Sequence, residues 1–148
     1  MQTRFAELRD LLATGPLATV ATIDPDGTPH TTLAWVGFDG DEIVMCTFFM
    51  LHQRKLSNMR RDPRVVLTVQ SKEFTGQGLW PYAVIQCRVD RITDGGALAM
   101  MDRLAEYYIG PGAQYPMREV PEGVVIHLTI DRVYGQGPWA QGSGRAPA

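Results

Sequence analysis

Residues 52–65, HQRKLSNMRRDPRV, concentrate positive charge in a chain whose formal net charge is −2. This basic segment contains one acid, Asp62, and the basic residues are His52, Arg54, Lys55, Arg60, Arg61 and Arg64. A lysine, one or two arginines and an asparagine at a loop–helix junction can hold a phosphate through charge-assisted hydrogen bonds. Backbone N–H groups at the start of the helix would add to the attraction. A phosphorylated cofactor needs such a clamp to keep its reactive ring in a fixed place.

Two other interpretations of the basic segment are open at this point. The first is a solvated helix face, which is what runs of charge usually form. The second is a nucleic-acid contact, which would require exposed aromatic side chains among the cations or a broad positive stripe. The charge is confined to one segment, and Phe48 and Phe49 suit a core equally well. With a pI near 5.9, nucleic acid is not an expected partner.

Several other kinds of active site lack their residues. His30, His52 and His127 form no HExxH motif or i, i+4 pair, so no metal site is expected. The sequence has no GxSxG motif and no cysteine–histidine signature, which argues against a covalent hydrolase. No glycine-rich phosphate loop follows a predicted strand. The carboxylates are scattered; Asp24 and Asp26, for example, lie in a predicted turn. Catalytic residues are therefore left unassigned.

The spacing of apolar residues predicts the elements that must position the basic segment. The predicted strands cover residues 17–23, 30–38, 42–48, 64–70, 82–93 and 124–135. The predicted helices cover residues 4–13, part of the basic segment, and 96–110. Gly15-Pro16 would end the first helix and Asp62-Pro63 the second, while Thr93 or Asp94 would cap the third. Strands in mostly hairpin order with few helices predict a mainly β fold, an antiparallel barrel.

Length and composition predict one domain, residues 1–135, followed by a flexible tail, residues 136–148, rich in Gly, Pro and Ala. No apolar run approaches the roughly 20 residues needed to span a bilayer. The N-terminus lacks the apolar stretch of a signal peptide. Cys46 and Cys87 lie in separate predicted strands and suit buried thiols rather than a disulfide. These features predict a cytoplasmic protein with no membrane partner.

Three segments occur in an order that resembles the flavin and deazaflavin oxidoreductases related to pyridoxamine 5′-phosphate oxidase. They are LATVATIDPDGTPH (17–30), RKLSNMRRDPRV (54–65) and VDRITD (89–94). The strongest motif, K-x-x-N-x-x-x-D-P-R-V, begins at Lys55. The resemblance covers roughly residues 5–133 and is greatest to the branch described as PPOX class F420-dependent enzymes. It implies a homodimer of six-stranded split β-barrels with two cofactors in grooves at the dimer interface.

The resemblance also implies which residues contact the cofactor. Its phosphate would be bound by Lys55, with helpers among Arg54, Arg60 and Arg61, while Asn58 would orient the segment or touch the cofactor. The ring would be contacted by Thr31, Leu33 and Trp35 from one strand, by Cys46 and Thr47 opposite, and by Trp139 from the second subunit. Loops 72–81 and 111–123 would shape the acceptor side through Phe74, Trp80, Tyr115 or Met117.

The implied function is that of an oxidoreductase in which reduced coenzyme F420, a deazaflavin, transfers hydride to a small conjugated electron acceptor. The cofactor carries the chemistry in such enzymes, which fits the lack of an acid–base pair. One alternative is an FMN-binding oxidase or flavin reductase of the pyridoxamine phosphate oxidase type. The other is a non-catalytic cofactor- or haem-binding split barrel, for which His30 or His52 would be weak candidate ligands. The long anionic tail of F420 suits a wide basic patch better than the single phosphate of FMN.

Overall fold

An antiparallel sheet of seven strands is present in the computed structural model, which describes residues 5–48, 53–74 and 78–140. The strands are β1 (Ala18–Ile23), β2 (Pro29–Ala34), β3 (Gly37–Asp39), β4 (Glu42–Phe48), β5 (Arg64–Gln70), β6 (Tyr82–Asp94) and β7 (Gly123–Gln136). The helices are α1 (Ala6–Ala13), α2 (Gln53–Arg61) and α3 (Ala97–Tyr108), with a short 3-10 turn at Pro138–Ala140. Within the sheet the strand order is β2-β1-β5-β6-β7-β4-β3.

The predicted mainly β, antiparallel fold is confirmed, but the prediction of six strands is wrong for the described part of the chain. Residues 30–38 were predicted as one strand and form two, β2 and β3, with a break at Trp35 and Val36. The break occurs because the Val36 amide donates its hydrogen bond to the Tyr108 hydroxyl, at 2.9 Å, instead of to a strand. After the break the chain changes partner, since β2 pairs with β1 and β3 pairs with β4.

The main core lies on one face of the sheet, where α1 and α2 cover it. Alternate residues of the strands point into this core, which is the period-two pattern expected of a half-buried strand. In β5, for example, Val65, Leu67 and Val69 are buried while Arg64, Thr68 and Gln70 are exposed. The helices contribute Leu8, Leu11, Leu12, Leu56 and Met59. Helix α2, which carries most of the basic segment, is thus fixed to the sheet by its apolar face.

Helix α3 contacts β4 and β7, and Leu104 and Ala105 are its fully buried residues. Its N-cap is Gly96, in a left-handed conformation with φ 73°. The predicted cap, Thr93 or Asp94, is therefore wrong, because both residues are still paired in β6. No helix in the described part of the chain is long and apolar enough to cross a membrane.

The C-terminal end of the described chain stays close to the sheet. Strand β7 runs to Gln136, one residue past the predicted domain boundary. Trp139 then donates a hydrogen bond from Nε1 to the Tyr82 carbonyl at 2.8 Å. Residues 141–148 of the predicted tail lie outside the described residues, as do Phe49 and His52.

Candidate functional site

A cavity of about 270 Å³ opens where β2, β4, α2 and α3 meet. It is lined by Leu17, Leu33, Ala34, Trp35, Cys46, Thr47, Phe48, Lys55, Met101 and Tyr115. We call it the Lys55 cavity, because Lys55 is the one charged residue among the described residues of that lining. Five residues predicted as cofactor contacts meet here, and they are Leu33, Trp35, Cys46, Thr47 and Lys55.

Lys55 is the unusual residue of the cavity because it is 1% exposed. No described residue accepts a hydrogen bond from its ammonium group. Burial lowers the pKa of Lys55, since loss of water penalises the charged form. A buried cation without a counter-charge is unfavourable unless an anion joins it. The cavity therefore fits a ligand with an anionic group that reaches Lys55.

Cys46 lines the same cavity from β4, and burial raises the pKa of its thiol to about 12. The thiol therefore stays protonated at neutral pH. Because the thiolate is the form that attacks electrophiles and binds metals, Cys46 is a wall residue and not a nucleophile. Its neighbour Thr47 is 2% exposed and adds a hydroxyl to the lining.

Aromatic side chains form one wall of the cavity. The Trp35 ring stacks on Tyr108, with ring centroids 5.0 Å apart and planes 1° from parallel. Tyr115 meets Trp35 edge-on at 5.7 Å and stacks on Phe48 at 5.9 Å. Such contacts stabilise one ring arrangement over others. The wall is thus suited to the flat face or edge of a conjugated ring.

Arg54 and Asn58 bind within the protein instead of lining the cavity. The Arg54 guanidinium makes two hydrogen bonds to Asp24, from Nε at 3.0 Å and from Nη2 at 2.5 Å. Asn58 is buried and donates to the same carboxylate at 2.9 Å. These bonds, the Arg54 bond first, lower the pKa of Asp24 to about 2. The network joins α2 to the end of β1, and so it fixes the helix from which Lys55 projects.

The remaining arginines of the basic segment differ from one another. Arg61 donates to the Ile23 carbonyl, and Arg64 forms an ion pair with Asp62 at 2.7 Å. Arg60 is exposed, and it forms no ion pair or hydrogen bond with another described residue. Part of the charge concentration therefore has a structural explanation, because Arg54 and Arg61 attach α2 to the end of β1 and Arg64 neutralises Asp62 within the segment.

Two predicted contacts lie away from the Lys55 cavity within one chain. Thr31 is exposed on β2 and does not belong to the lining. Trp139 borders a different cavity with Glu7 and Lys72. Its predicted contact across a dimer remains a prediction.

Sequence reasoning missed Leu17 and Met101, because single apolar residues in a strand or helix pattern indicate only a core. Tyr115 was predicted to shape the acceptor side, and the structure places it in the cavity wall. Phe74 and Trp80 pack on each other at 5.1 Å and lie outside the lining. Among the described residues no three His, Cys, Asp or Glu side chains are grouped as a metal site would require.

The family model for pyridoxamine 5′-phosphate oxidase matches residues 5–137. No curated protein matches the sequence.

Several solved structures share the fold. An F420 reductase superposes with a TM-score of 0.70 at 22% identity, covering 85% of this chain and 94% of that chain. A conserved hypothetical protein from Mycobacterium tuberculosis gives 0.66 at 22% identity, with coverages of 92% and 85%. A heme-binding protein from Mycobacterium smegmatis gives 0.62 at 21% identity, with coverages of 96% and 56%. At such identities the likeness shows the fold alone.

Proposed function

The chain belongs to the pyridoxamine 5′-phosphate oxidase family, and we propose from this premise that it is a coenzyme F420-dependent oxidoreductase. The observation that carries the proposal is the buried Lys55 ammonium, which has no acceptor among the described residues and lines an aromatic cavity. F420 and FMN both join a planar ring to a phosphate, so either matches that pairing of charge and aromatic wall. The F420 reductase of the same fold supports F420 as the first candidate.

When bound, the reduced cofactor supplies a hydride for an electron-poor acceptor. The protein's part is to bind, orient and exclude water. Lys55 would donate a charge-assisted hydrogen bond to the phosphate, from a helix that Asn58 and Arg54 hold in place through Asp24. Trp35 would fix the plane of the ring.

A second copy of the chain would complete the site. The cavity of about 270 Å³ lies just below the roughly 300–1,000 Å³ usual for ligand sites. At its border Leu17 and Leu33 are 53% and 58% exposed, and large apolar side chains beside a binding cavity suit a protein interface. We therefore propose a homodimer in which the partner covers this border.

The acceptor would be a small, planar, conjugated molecule. Phe48 and Tyr115 stack at 5.9 Å beside Trp35, and the lining offers an acceptor few polar groups apart from Lys55 and Thr47. If Lys55 is occupied by the cofactor's phosphate, a neutral aromatic or enone fits the rest of the cavity better than a charged metabolite does.

FMN is the second candidate, and the pairing of the arginines favours it. Arg54, Arg61 and Arg64 already have partners, so the basic segment offers less free charge to a long anionic tail than its composition indicates. A single phosphate at Lys55 would suffice. Haem is a weaker candidate despite the heme-binding structure, because no histidine is among the described lining residues and the lining cysteine is protonated.

The test is oxidation of chemically reduced F420, followed by its absorbance, with a panel of quinones, nitroaromatics and enones. Matched assays use reduced FMN, and Lys55→Met serves as the control. Acceptor-dependent oxidation of reduced F420 by the wild type, lost in the variant at non-saturating cofactor, supports the proposal. Turnover with reduced FMN alone moves the protein to the second candidate.

A further inference from the structure

The Tyr108 hydroxyl joins three separate parts of the chain. It accepts a hydrogen bond from the Val36 amide at 2.9 Å, and it lies 2.8 Å from the Pro16 carbonyl, to which it donates. Burial raises the pKa of this hydroxyl to about 12, so it keeps its proton for that bond at neutral pH. The end of α3 is thereby attached both to the α1–β1 link and to the break between β2 and β3.

Two glycines allow these segments to approach α3 closely. A Cβ on Gly15, whose φ is +75°, would lie 2.1 Å from the Tyr107 carbonyl oxygen. A Cβ on Gly37 would lie 2.6 Å from the Leu104 side chain. Any side chain at Gly15 would push its loop away from the helix, and with it the Pro16 carbonyl. The local sequence is therefore built around contact with the end of α3.

The Trp35 ring, which stacks on Tyr108, separates two cavities. On one side is the Lys55 cavity, and on the other is an open cavity of about 580 Å³ that Tyr108 and Lys72 help to line. Leu17 and Trp35 border both. The position of the indole ring thus sets the width of the Lys55 cavity on that side.

We propose that Tyr108 is a positioning residue that holds Trp35 as the wall between the two cavities and so limits the planar group that the Lys55 cavity admits. Its hydroxyl keeps the Val36 amide out of strand pairing, and its ring supports the indole. Removing the hydroxyl leaves the Val36 amide and the Pro16 carbonyl without this partner. The indole can then turn toward the open cavity. The identity of the admitted group rests on the proposed function, whereas the support of Trp35 does not.

The test compares Tyr108→Phe with Tyr107→Phe. Tyr107 is the adjacent residue of α3, and its hydroxyl makes no hydrogen bond with a described residue. Both changes are made in a Trp80→Phe, Trp139→Phe background, so that Trp35 is the only tryptophan left of the three. In the free protein, Tyr108→Phe is expected to lose the near-ultraviolet circular dichroism band of Trp35 and to increase its quenching by acrylamide. Signals equal to those of Tyr107→Phe overturn the positioning role.

Ligand affinity gives the readout that a purely structural role would not change. The FMN ring carries two methyl groups on its benzenoid edge, where F420 carries a hydroxyl. FMN is therefore the wider planar group, and a cavity widened by displacement of Trp35 should favour it. In a chain that keeps Trp80 and Trp139, Tyr108→Phe should weaken F420 binding about fivefold or more and lower the ratio of the FMN to the F420 dissociation constant. An equal loss for both ligands overturns the specificity role.

Two outcomes separate this inference from the proposed function. If the wild type binds neither ligand, the proposed function fails, and the two optical signals alone decide whether Tyr108 supports Trp35. If Tyr108→Phe does not fold, hydrogen exchange of the wild-type Val36 amide tests the same bond. Strong protection supports the inference, and exchange as fast as that of exposed loop amides overturns it.

Discussion

Replacing Lys55 with methionine should make the free protein more stable and the cofactor complex weaker. Methionine has a similar length and no charge, so it fills the same space. In the wild type the ammonium is buried at 1% exposure and receives no counter-charge from a described residue. The side chain is therefore retained at a cost to the fold, which a bound anion would offset.

The magnitudes follow from that environment. Removing a buried charge without a partner typically stabilises a fold by about 1–2 kcal/mol, which would raise the melting temperature by roughly 2–8 °C for a chain of this size. Losing a charge-assisted bond to phosphate weakens binding by about 2 kcal/mol, or roughly 30-fold.

The stability gain should also depend on pH. The folded pKa of Lys55 lies below its ordinary value of 10.5, so in the window between these two pKa values the unfolded chain binds more protons and wild-type stability rises with pH. The advantage of Lys55→Met is therefore full below the folded pKa of Lys55 and shrinks as the pH rises from there toward 10.5. Urea denaturation of both proteins across that range measures the difference. The reasoning would be refuted if Lys55→Met were less stable than the wild type and bound F420 and FMN with the wild-type affinity.

Three further results are expected. Gly15→Ala should destabilise the protein by about 2 kcal/mol or more, because its Cβ would clash with the backbone of α3. Gly27→Ala is the control, since Gly27 has φ +88° but open space around it, and it should cost about 1 kcal/mol in thermal or urea unfolding. The folded pKa of Asp24 is about 2, so its contribution to stability is present above pH 3.8 and lost as the pH falls toward 2. The free energy of unfolding of Asp24→Asn should therefore fall less steeply with decreasing pH than that of the wild type. The same pH dependence in both proteins would contradict the Arg54 network. Arg60→Ala should weaken F420 binding roughly threefold and leave FMN binding unchanged, and an equal effect on both would argue against a tail contact.

Local sequence patterns predicted those strands and helices whose bounds depend on residues nearby in the sequence. Strand β4 was predicted at its observed bounds, Glu42–Phe48, because a turn comes directly before an apolar run of strand-forming residues. The end of α2 at Asp62-Pro63 was also predicted, since the residue before proline disfavours helical geometry. The break in residues 30–38 was not predicted. It depends on the bond between Val36 and Tyr108, which are 72 residues apart.

In the candidate site, too, contacts within one segment were predicted and contacts between distant segments were not. The motif that begins at Lys55 pointed to an anion contact, and the structure places that lysine in the cavity. The same segment gave no sign that Arg54 would bind Asp24, a residue 30 positions earlier, because ion pairs between elements depend on how α2 packs on β1. Composition therefore overstated the free charge, and the stacked Trp35–Tyr108 pair emerged only once the chain was folded.

The most direct test of the central claim is a paired titration of the wild type and Lys55→Met with F420 and with FMN, at one modest salt concentration, followed by tryptophan fluorescence. The proposed function predicts micromolar or tighter binding of F420 to the wild type and weaker binding of FMN, and the Lys55 cavity predicts a roughly 30-fold loss in the variant. Preference for FMN with the same loss would keep the cavity and change the cofactor. Equal binding by both proteins, or binding of neither cofactor to the wild type, would contradict the claim that Lys55 binds a cofactor phosphate.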